Sequence, residues 1–327
     1  MDLQWRALTR ADAAAMAALN AAVHAAQPAG ELRAADEMDR SFDDEWRVTV
    51  PPRFGAFADG RLIAFGVLFA RVAANPDHRM LLWGMVHPAF HRRGIGTELV
   101  RRALAAAPDL HARSFPGTEG LVVLELADLQ GTAELARACG FEAGTRSFDM
   151  ARPLPKDPAE FDPWIAAPGS DFVVSRFAAQ HVEELRQVHN DSFVPYHPGS
   201  APVPAEAWDR RFSDPTFRPD LSFLMLAAGT GEISGYLLSS SVTEHTDQTD
   251  PVGPLQVRLA TITTHHAYRR RGIATALIGA ALSEAVAQGF ETASLDVDTD
   301  NPSGALRVYE RAGFTVTHST TTYTRKC

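Results

Sequence analysis

His265-His266-Ala267-Tyr268-Arg269-Arg270-Arg271-Gly272-Ile273-Ala274 is the stretch around which the rest of this sequence is organised. A β-rich run at 257–264 precedes it, and a helical pattern at 273–288 follows it. A strand, a basic turn and the start of a helix therefore meet here. Such a turn points several backbone N–H groups at one spot, at the positive end of a helix dipole. The stretch predicts an anion site, where Gly272 lets the backbone approach a phosphate and the small Ala274 leaves room beside it.

The first half of the chain carries a second copy of this pattern. His87-Pro88-Ala89-Phe90-His91-Arg92-Arg93-Gly94-Ile95-Gly96 follows the strand candidate 80–86 and opens a helix expected over 95–107. Gly94 aligns with Gly272, and further on Gly140-Phe141 aligns with Gly313-Phe314. The separation along the chain between the two copies is smaller for the Gly-Phe pair than for the basic turn. We attribute this difference to a longer loop in the first half, expected over 108–120. Two copies of the same succession of strand, basic turn, helix, strand, helix and Gly-Phe predict an internal duplication.

A proline-rich segment separates the two copies. Its prolines are Pro153, Pro155, Pro158, Pro163 and Pro168. Repeated prolines favour an extended linker over a packed element. We therefore expect an N-terminal domain over 1–152, a linker over 153–170 and a C-terminal domain over 171–327.

Composition narrows the class of protein. The chain has 327 residues, 45% of them hydrophobic and 22% charged, which is usual for a globular protein of about two domains. A net charge of −9 argues against a nucleic-acid partner. No apolar run is long enough to span a bilayer, and the N-terminus lacks the plan of a signal peptide. Two cysteines, Cys139 and Cys327, are too few for a disulfide framework or a cysteine-rich zinc site. We expect a cytoplasmic protein with no membrane partner and no metal.

Arg269-x-x-Gly272-x-Ala274 resembles the acetyl-CoA pyrophosphate loop of the GCN5-related N-acetyltransferase (GNAT) family, whose pattern is Gln/Arg-x-x-Gly-x-Gly/Ala. With the duplication, the resemblance covers nearly the whole chain. The chain is similar to the tandem GNAT proteins of the mycothiol synthase-like group, notably at 150–154 and 298–314. The resemblance implies an α/β (α+β) fold of two tandem GNAT domains, each a mixed, mostly antiparallel sheet flanked by helices. It also implies acetyl-CoA as cosubstrate and a small-molecule amine as partner.

The resemblance also implies which residues bind the cosubstrate. In this family a backbone N–H on the strand before the loop donates to the thioester carbonyl, and the loop binds the pyrophosphate. The implied residues are Ile262, Thr263, Thr264, Arg269, Arg270, Arg271, Gly272, Ile273, Ala274, Thr275 and Asn301. The corresponding loop of the first half offers Arg92, Arg93, Gly94 and Gly96 as a second candidate site.

Tyr309 is the implied acid, because the family's tyrosine lies four residues before the Gly-Phe pair. A phenol and a thiol have reference pKa values within about two units, so the proton transfer is chemically reasonable. The plain alternative is a helical tyrosine that only packs on the core. The general base is open, because Arg258 stands where this group carries a glutamate. His265 is the candidate base, with His266, Glu244 and His245 as rivals; a water chain or a partly neutral amine would also serve.

Three aligned positions separate the two halves in the same direction. The second half has Tyr309, Asn301 and Arg269, where the first half has Ala136, Asp128 and His91. The spacing from Asn301 to Tyr309 is one residue longer than the commonest family pattern, so Asn301 or Ser303 could instead cap the helix. We expect the C-terminal domain to be catalytic. The N-terminal domain then binds CoA or serves as a scaffold for the acceptor pocket.

The sequence thus predicts an acetyl-CoA-dependent N-acetyltransferase that acts on a small-molecule amine by direct attack in the C-terminal domain. The alternative is a non-catalytic acyl-CoA-binding or sensor protein with the same fold, which the missing strand glutamate favours.

Overall fold

The computed structural model describes residues 3–27, 33, 35–43, 51–161, 169–195, 200–242, 255–300 and 304–327. The strands are β1 (Gln4–Ala7), β2 (Arg53–Ala58), β3 (Arg61–Ala70), β4 (His78–Val86), β5 (Gly120–Ala127), β6 (Glu142–Pro153), β7 (Phe172–Arg176), β8 (Phe223–Ala227), β9 (Ile233–Val242), β10 (Gln256–Thr264), β11 (Thr292–Asp298) and β12 (Thr315–Lys326). The α-helices are α1 (Ala13–Ala26), α2 (Ala35–Arg40), α3 (Ile95–Ser114), α4 (Thr132–Ala138), α5 (Val182–Phe193), α6 (Ala205–Ser213), α7 (Ile273–Ala287) and α8 (Ala305–Arg311). None of the helices in these ranges combines the length and apolar character that a membrane span requires.

Contacts within the chain divide it into two compact units. The first unit is formed by Met1–Arg146 and Thr320–Cys327, and the second by Ser147–Ser319. These units differ from the expected domains chiefly in the C-terminal tail. The tail belongs to the first unit because β12 pairs antiparallel with β5, from Thr320↔Ala127 to Lys326↔Leu121.

The first unit is a sheet with helices on both faces. The strand order is β1-β2-β3-β4-β5-β12, and every pair is antiparallel except β4 with β5. One face packs against α1 and α2 through buried Met16, Met38 and Phe65. The other face packs against α3 and α4 in a cluster that includes Leu99 and the C-terminal Tyr323.

Helix α3 is longer than the sequence predicts. The expected loop over 108–120 was wrong for residues 108–114, because the helix runs through Pro108 to Ser114. A proline inside a helix removes one backbone donor and crowds the preceding turn. Here Ala107 and Leu110, on either side of it, are fully buried against the sheet, and this burial offsets the lost hydrogen bond.

The second unit repeats this architecture. Its strand order is β6-β11-β10-β9-β8-β7, with β10 and β11 as the parallel pair. Residues Ser147–Pro153 of β6 pair antiparallel with β11. Helices α7 and α8 cover one face over a core that contains Leu277, Leu282 and Phe314. The predicted helix at 273–288 and strand at 257–264 are confirmed to within one residue at each end.

Helices α5 and α6 cover the other face of the second sheet. The sequence predicts an irregular segment over 194–219, and this was wrong for α6. Trp208 holds α6 in place: it is fully buried, and its indole N–H donates to the carbonyl of Val182 at 2.8 Å. A large buried aromatic with a satisfied polar edge stabilises a helix that its short, polar sequence would not predict.

Candidate functional site

The two basic turns have the same backbone conformation. In the second unit, Arg270 has φ 62° and Gly272 has φ 79°, at the N-cap of α7. In the first unit, Arg92 has φ 60° and Gly94 has φ 79°, at the N-cap of α3. Left-handed residues next to a helix start turn successive N–H groups toward one concave spot, which suits an anion. Both predicted anion sites therefore have the expected backbone.

The arginines of the second turn point to different places. Arg271 forms an ion pair with Asp171, with 2.7 Å from Nη2 to Oδ2, and its guanidinium lies over the ring of Phe172. It therefore contributes charge from the β7 side of the turn. Within the described ranges, Arg270 forms no salt bridge, and its side chain is exposed beside the helix start.

An added Cβ at Gly272 would meet no atom within 4 Å, so the outer face of the turn is open. Below it, Gly235 of β9 is packed tightly. A Cβ there would lie 2.7 Å from both the Ile273 side chain and the carbonyl oxygen of Thr263. A glycine at 235 thus lets the start of α7 rest directly on β9 and β10, which fixes the turn over the strand ends.

The parallel strands β10 and β11 separate below this turn. Their pairing runs from Gln256↔Thr292 to Arg258↔Ser294, although the strands continue to Thr264 and Asp298. The end of β10 thus has an edge that β11 does not pair with, and its backbone groups are available to a ligand. A bulge between Leu259 and Thr261 accompanies the separation. Ile262, Thr263 and Thr264 lie on this stretch of β10.

The bulge decides which side chains face each side of the sheet. Ile262 joins the core under α7, whereas Thr261 and Thr263 turn to the α5 side. Thr263 is only 4% exposed, and its hydroxyl makes no hydrogen bond with a described partner. A buried hydroxyl without a partner is costly unless a ligand or water satisfies it.

Tyr309 lies on α8 and is 7% exposed. Burial raises the pKa of its phenol above the usual value, and the charge of Asp296 on β11 raises it further. The side chain therefore stays protonated at neutral pH, as a proton donor must. Asn301, which the resemblance also implies for the cosubstrate, lies outside the described residues, as do the rival bases Glu244 and His245.

Arg258 and Asp296 form an ion pair on neighbouring strands, with 2.7 Å between Nη2 and Oδ1. They lie on the face of the sheet opposite α7, next to the point where β10 and β11 separate. The cation at 258 is thus matched by a carboxylate on β11. Asp296 also acts electrostatically on Tyr309, so this pair borders the predicted reaction site.

His265 follows β10 directly and is half-buried. Burial lowers the pKa of its imidazole, and neighbouring His266 lowers it further. Its Nδ1 is buried and makes no hydrogen bond to a described residue. The aligned His87 of the first unit instead accepts a hydrogen bond from the N–H of Ala89 through Nδ1. The same position is therefore satisfied locally in the first unit and left open in the second.

A buried polar cluster near His265 was missed by the sequence analysis. Tyr236 of β9 is fully buried and lies 2.7 Å from Nδ1 of His189 on α5. Thr263 is the register partner of Tyr236, and its hydroxyl lowers the pKa of the phenol without forming a hydrogen bond of normal geometry. Burial outweighs this effect and raises the pKa of Tyr236. Ser192, 3% exposed, adds another buried hydroxyl without a described partner. Strand register brings Thr263 to Tyr236, and the packing of α5 on β9 brings His189 to it; sequence spacing reveals neither.

A cleft of about 380 Å³ opens beside this cluster at the C-terminal end of α5. Its described lining consists of Asn190, Asp191, Val194, Pro195, Pro202 and His266. Asp191 supplies a carboxylate, and its charge reaches His265. The cleft has a size that suits a small molecule and an acidic group that suits a cation.

The first unit lacks the equivalent chemistry. Ala136 is fully buried at the position of Tyr309 and carries no titratable group. Asp128 is held by Arg146 at 2.8 Å and by the hydroxyl of Thr321 at 2.7 Å. The guanidinium of Arg92 lies against Gly131 at the start of α4, where an added Cβ would come within 2.6 Å of it. The aligned Gly304 of the second unit has no such neighbour within 4 Å.

Comparisons with known proteins agree with this architecture. The model of the acetyltransferase (GNAT) family matches residues 19–141 and 182–314. The chain is 31% identical over 254 residues to a mycothiol acetyltransferase of Mycobacteroides abscessus, covering 77% of each chain. It is 28% identical over 267 residues to a mycothiol acetyltransferase of Nocardia farcinica, covering 81% of this chain and 80% of the relative.

Two solved structures share the whole fold. A GCN5-related N-acetyltransferase from Sphaerobacter thermophilus aligns with a TM-score of 0.76 at 22% identity, covering 99% of this chain and 95% of that one. A tandem GNAT protein from the clavulanic acid biosynthesis pathway aligns with a TM-score of 0.72 at 15% identity, covering 99% and 98%. The predicted fold class, two GNAT domains with mostly antiparallel sheets flanked by helices, is confirmed.

Proposed function

The chain belongs to the acetyltransferase (GNAT) family, and on that premise we propose that its second unit transfers an acetyl group from acetyl-CoA to the amine of a small molecule. The observation that carries the proposal is the left-handed turn at Arg270 and Gly272, placed over the separated ends of β10 and β11. Both features are present in one unit, together with a buried tyrosine.

The residues present fit acetyl-CoA. The concave row of N–H groups at the start of α7 suits a pyrophosphate, and the open face of Gly272 leaves room for it. The unpaired edge of β10 offers N–H donors for a carbonyl oxygen. When bound, acetyl-CoA supplies the activated acyl group as a thioester. Ile262, Thr263 and Thr264 would orient that carbonyl, and Arg269 and Arg270 would add positive charge near the phosphates.

Tyr309 would supply the proton for the leaving sulfur. Its raised pKa keeps the phenol neutral across the physiological range, so the proton is present when it is needed. The position is also buried, so bulk water does not compete for the thiolate.

The second unit is favoured over the first by three differences. Ala136 cannot donate a proton, Asp128 is already engaged by Arg146 and Thr321, and Arg92 covers the start of α4. The first unit keeps its anion-binding turn, so a binding or scaffolding role suits it.

The acceptor is proposed only as a small amine. The relatives' name, mycothiol acetyltransferase, supports an amine of low molecular weight. The cleft beside α5 has the size for one, and Asp191 would attract its charge. Because the Arg258–Asp296 pair stands where the related group carries a glutamate, the acceptor need not be the same.

The test measures acetyl-CoA turnover with a panel of small amines, with release of the free thiol as the readout. Tyr309→Phe should lower kcat about 100-fold or more, in the range for loss of a positioned acid, and leave the Kd for acetyl-CoA unchanged. Full turnover by Tyr309→Phe would refute the acid assignment. Tight acetyl-CoA binding without transfer to any amine would instead support the alternative, a non-catalytic acyl-CoA-binding protein.

A further inference from the structure

We propose that Thr263, Tyr236 and His189 form a buried relay that accepts the proton of the attacking amine; the proposal rests on acetyl transfer in the second unit. The relay would serve as the general base that Arg258 cannot supply. It runs from the end of β10, across the register pair of β9, to helix α5.

The first link lies where the amine must arrive. Thr263 is on the free end of β10, and its hydroxyl faces the α5 side, on which the cleft opens. This hydroxyl is buried and makes no hydrogen bond of normal geometry to a described residue. An arriving amine, or one water between it and Thr263, would give it a partner.

The second and third residues of the relay, Tyr236 and His189, are already in contact. The phenol of Tyr236 lies 2.7 Å from Nδ1 of His189, and Thr263 is close enough to lower the pKa of Tyr236. The ring of His189 is held between Phe193, at 4.5 Å between centroids, and Trp208, at 4.9 Å. Such packing fixes the ring orientation that proton transfer requires.

Charged groups lie on the elements around this relay. Arg211 of α6 acts electrostatically on Tyr236 and lies over the Trp208 ring. His265 at the end of β10 and Asp191 on α5 interact electrostatically with each other. The cation of Arg211 opposes a second positive charge nearby.

The proton balance of the step is complete. The amine nitrogen forms the new bond to the acetyl carbon, and the bond from that carbon to sulfur breaks. One proton of the ammonium ion passes, before the attack, to the oxygen of Thr263 as its hydroxyl proton moves to Tyr236 and the Tyr236 proton moves to His189. The second proton leaves the nitrogen for solvent once the new bond has formed. Tyr309 protonates the sulfur, and both end groups then exchange protons with solvent. Thr263 alone touches the substrate; Tyr236 and His189 act through it.

A purely structural role for the His189–Tyr236 hydrogen bond is the competing interpretation. His189→Asn separates the two, because the asparagine carbonyl can accept the same hydrogen bond near the place of Nδ1 but cannot take a proton. His181→Asn, in the short turn just before α5, is the matched control. Tyr236→Phe removes the middle link, and Tyr323→Phe removes a hydroxyl from a buried tyrosine of the first unit.

The experiment measures kcat/KM against pH for thiol release with an amine that the wild-type protein acetylates. His189→Asn and Tyr236→Phe should each lose about 100-fold at neutral pH, the usual contribution of a general base. The kcat/KM of each variant should then rise about tenfold per pH unit, because the free amine, which needs no base, becomes more abundant. The Kd for acetyl-CoA should not change. The double variant should be no worse than either single one, because the links act in series.

A wild-type rate and pH profile for His189→Asn would overturn the relay while leaving acetyl transfer intact. Equal losses in His181→Asn would also overturn it, since a structural disturbance would then explain the effect. A wild-type protein that releases no thiol with any amine would overturn the proposed function and the relay together.

Discussion

Gly272→Ala tests the anion-binding turn through backbone conformation alone. Gly272 has φ 79°, which disfavours a side chain, yet an added Cβ would meet no atom within 4 Å. The penalty is therefore conformational, roughly 1–2 kcal/mol. Gly289→Ala is the matched control at the other end of α7, with φ 81° and no neighbour within 4 Å. The two changes are alike except that only one lies in the turn.

The expected magnitudes follow from this match. Each variant should lower the free energy of unfolding of the second unit by no more than about 1–2 kcal/mol. Because an added Cβ at Gly272 meets no atom that would hold it in place, the strained left-handed conformation should relax in the unbound variant. Binding must then restore it, so the Kd for acetyl-CoA should rise by the same free energy, roughly 5- to 30-fold. The Kd of Gly289→Ala should stay at the wild-type value.

Calorimetric titration with acetyl-CoA and urea denaturation of the three proteins provide the assay. One equivalent bound by the wild-type protein, weakened only in Gly272→Ala, would support the assignment to the second unit. An unchanged Kd in Gly272→Ala, or equal weakening in Gly289→Ala, would refute the reasoning. Two equivalents would show that the turn at Gly94 also binds, since it has the same conformation.

Three further changes probe the fold around the site. Gly235→Ala should destabilise the second unit by about 1–3 kcal/mol, since its Cβ meets Ile273 at 2.7 Å, and should weaken acetyl-CoA binding; unchanged melting and binding would show that α7 adapts freely. Tyr323→Ala should cost about 3 kcal/mol in the first unit, although it lies near the C-terminus; hydrogen exchange that reports loosening only within 171–319 would contradict the unit assignment. Asp12→Asn should cost about 1–2 kcal/mol at neutral pH, because Arg6 and Thr9 lower the pKa of this carboxyl to about 2. A lowered pKa gives stability that is present above about 3.8 and is lost as the pH falls through about 2, so denaturation curves of the two proteins should converge in strong acid.

Local chemistry made the two turns predictable from sequence. A glycine between a β-rich run and an apolar helix pattern can adopt the left-handed conformation that a tight turn into a helix requires, and Gly94 and Gly272 have the same φ. Likewise, Gly140 and Gly313 end their helices with φ of 75° and 81°. Periodicity and glycine positions are local signals, and they were sufficient for the repeat and for the helix starts.

Non-local pairing accounts for what the sequence did not predict. The assignment of 320–327 to the first unit depends on the register between β12 and β5, which no local pattern encodes. The contact between His189 and Tyr236 depends on the packing of α5 over β9. The extension of α3 through Pro108 depends on burial of the residues around it, which overrode a local helix-breaking signal.

The two units also show how a duplicated turn can keep its backbone conformation while the side chains around it differ. The turns at Arg92 and Arg270 share their left-handed conformation, because each is set by its own short sequence. The surrounding side chains carry no such constraint: Arg92 covers Gly131, whereas an added Cβ at Gly304 would meet nothing within 4 Å. On the proposed function, an anion-binding turn can therefore persist in a unit with no acid at the position of Ala136. Removing the obstruction with Arg92→Ala should improve acetyl-CoA binding to the first unit without creating turnover there, because binding and proton donation come from separate residues. Calorimetry on a protein that also carries Gly272→Ala measures this directly, and turnover that rises with the added binding would contradict the separation.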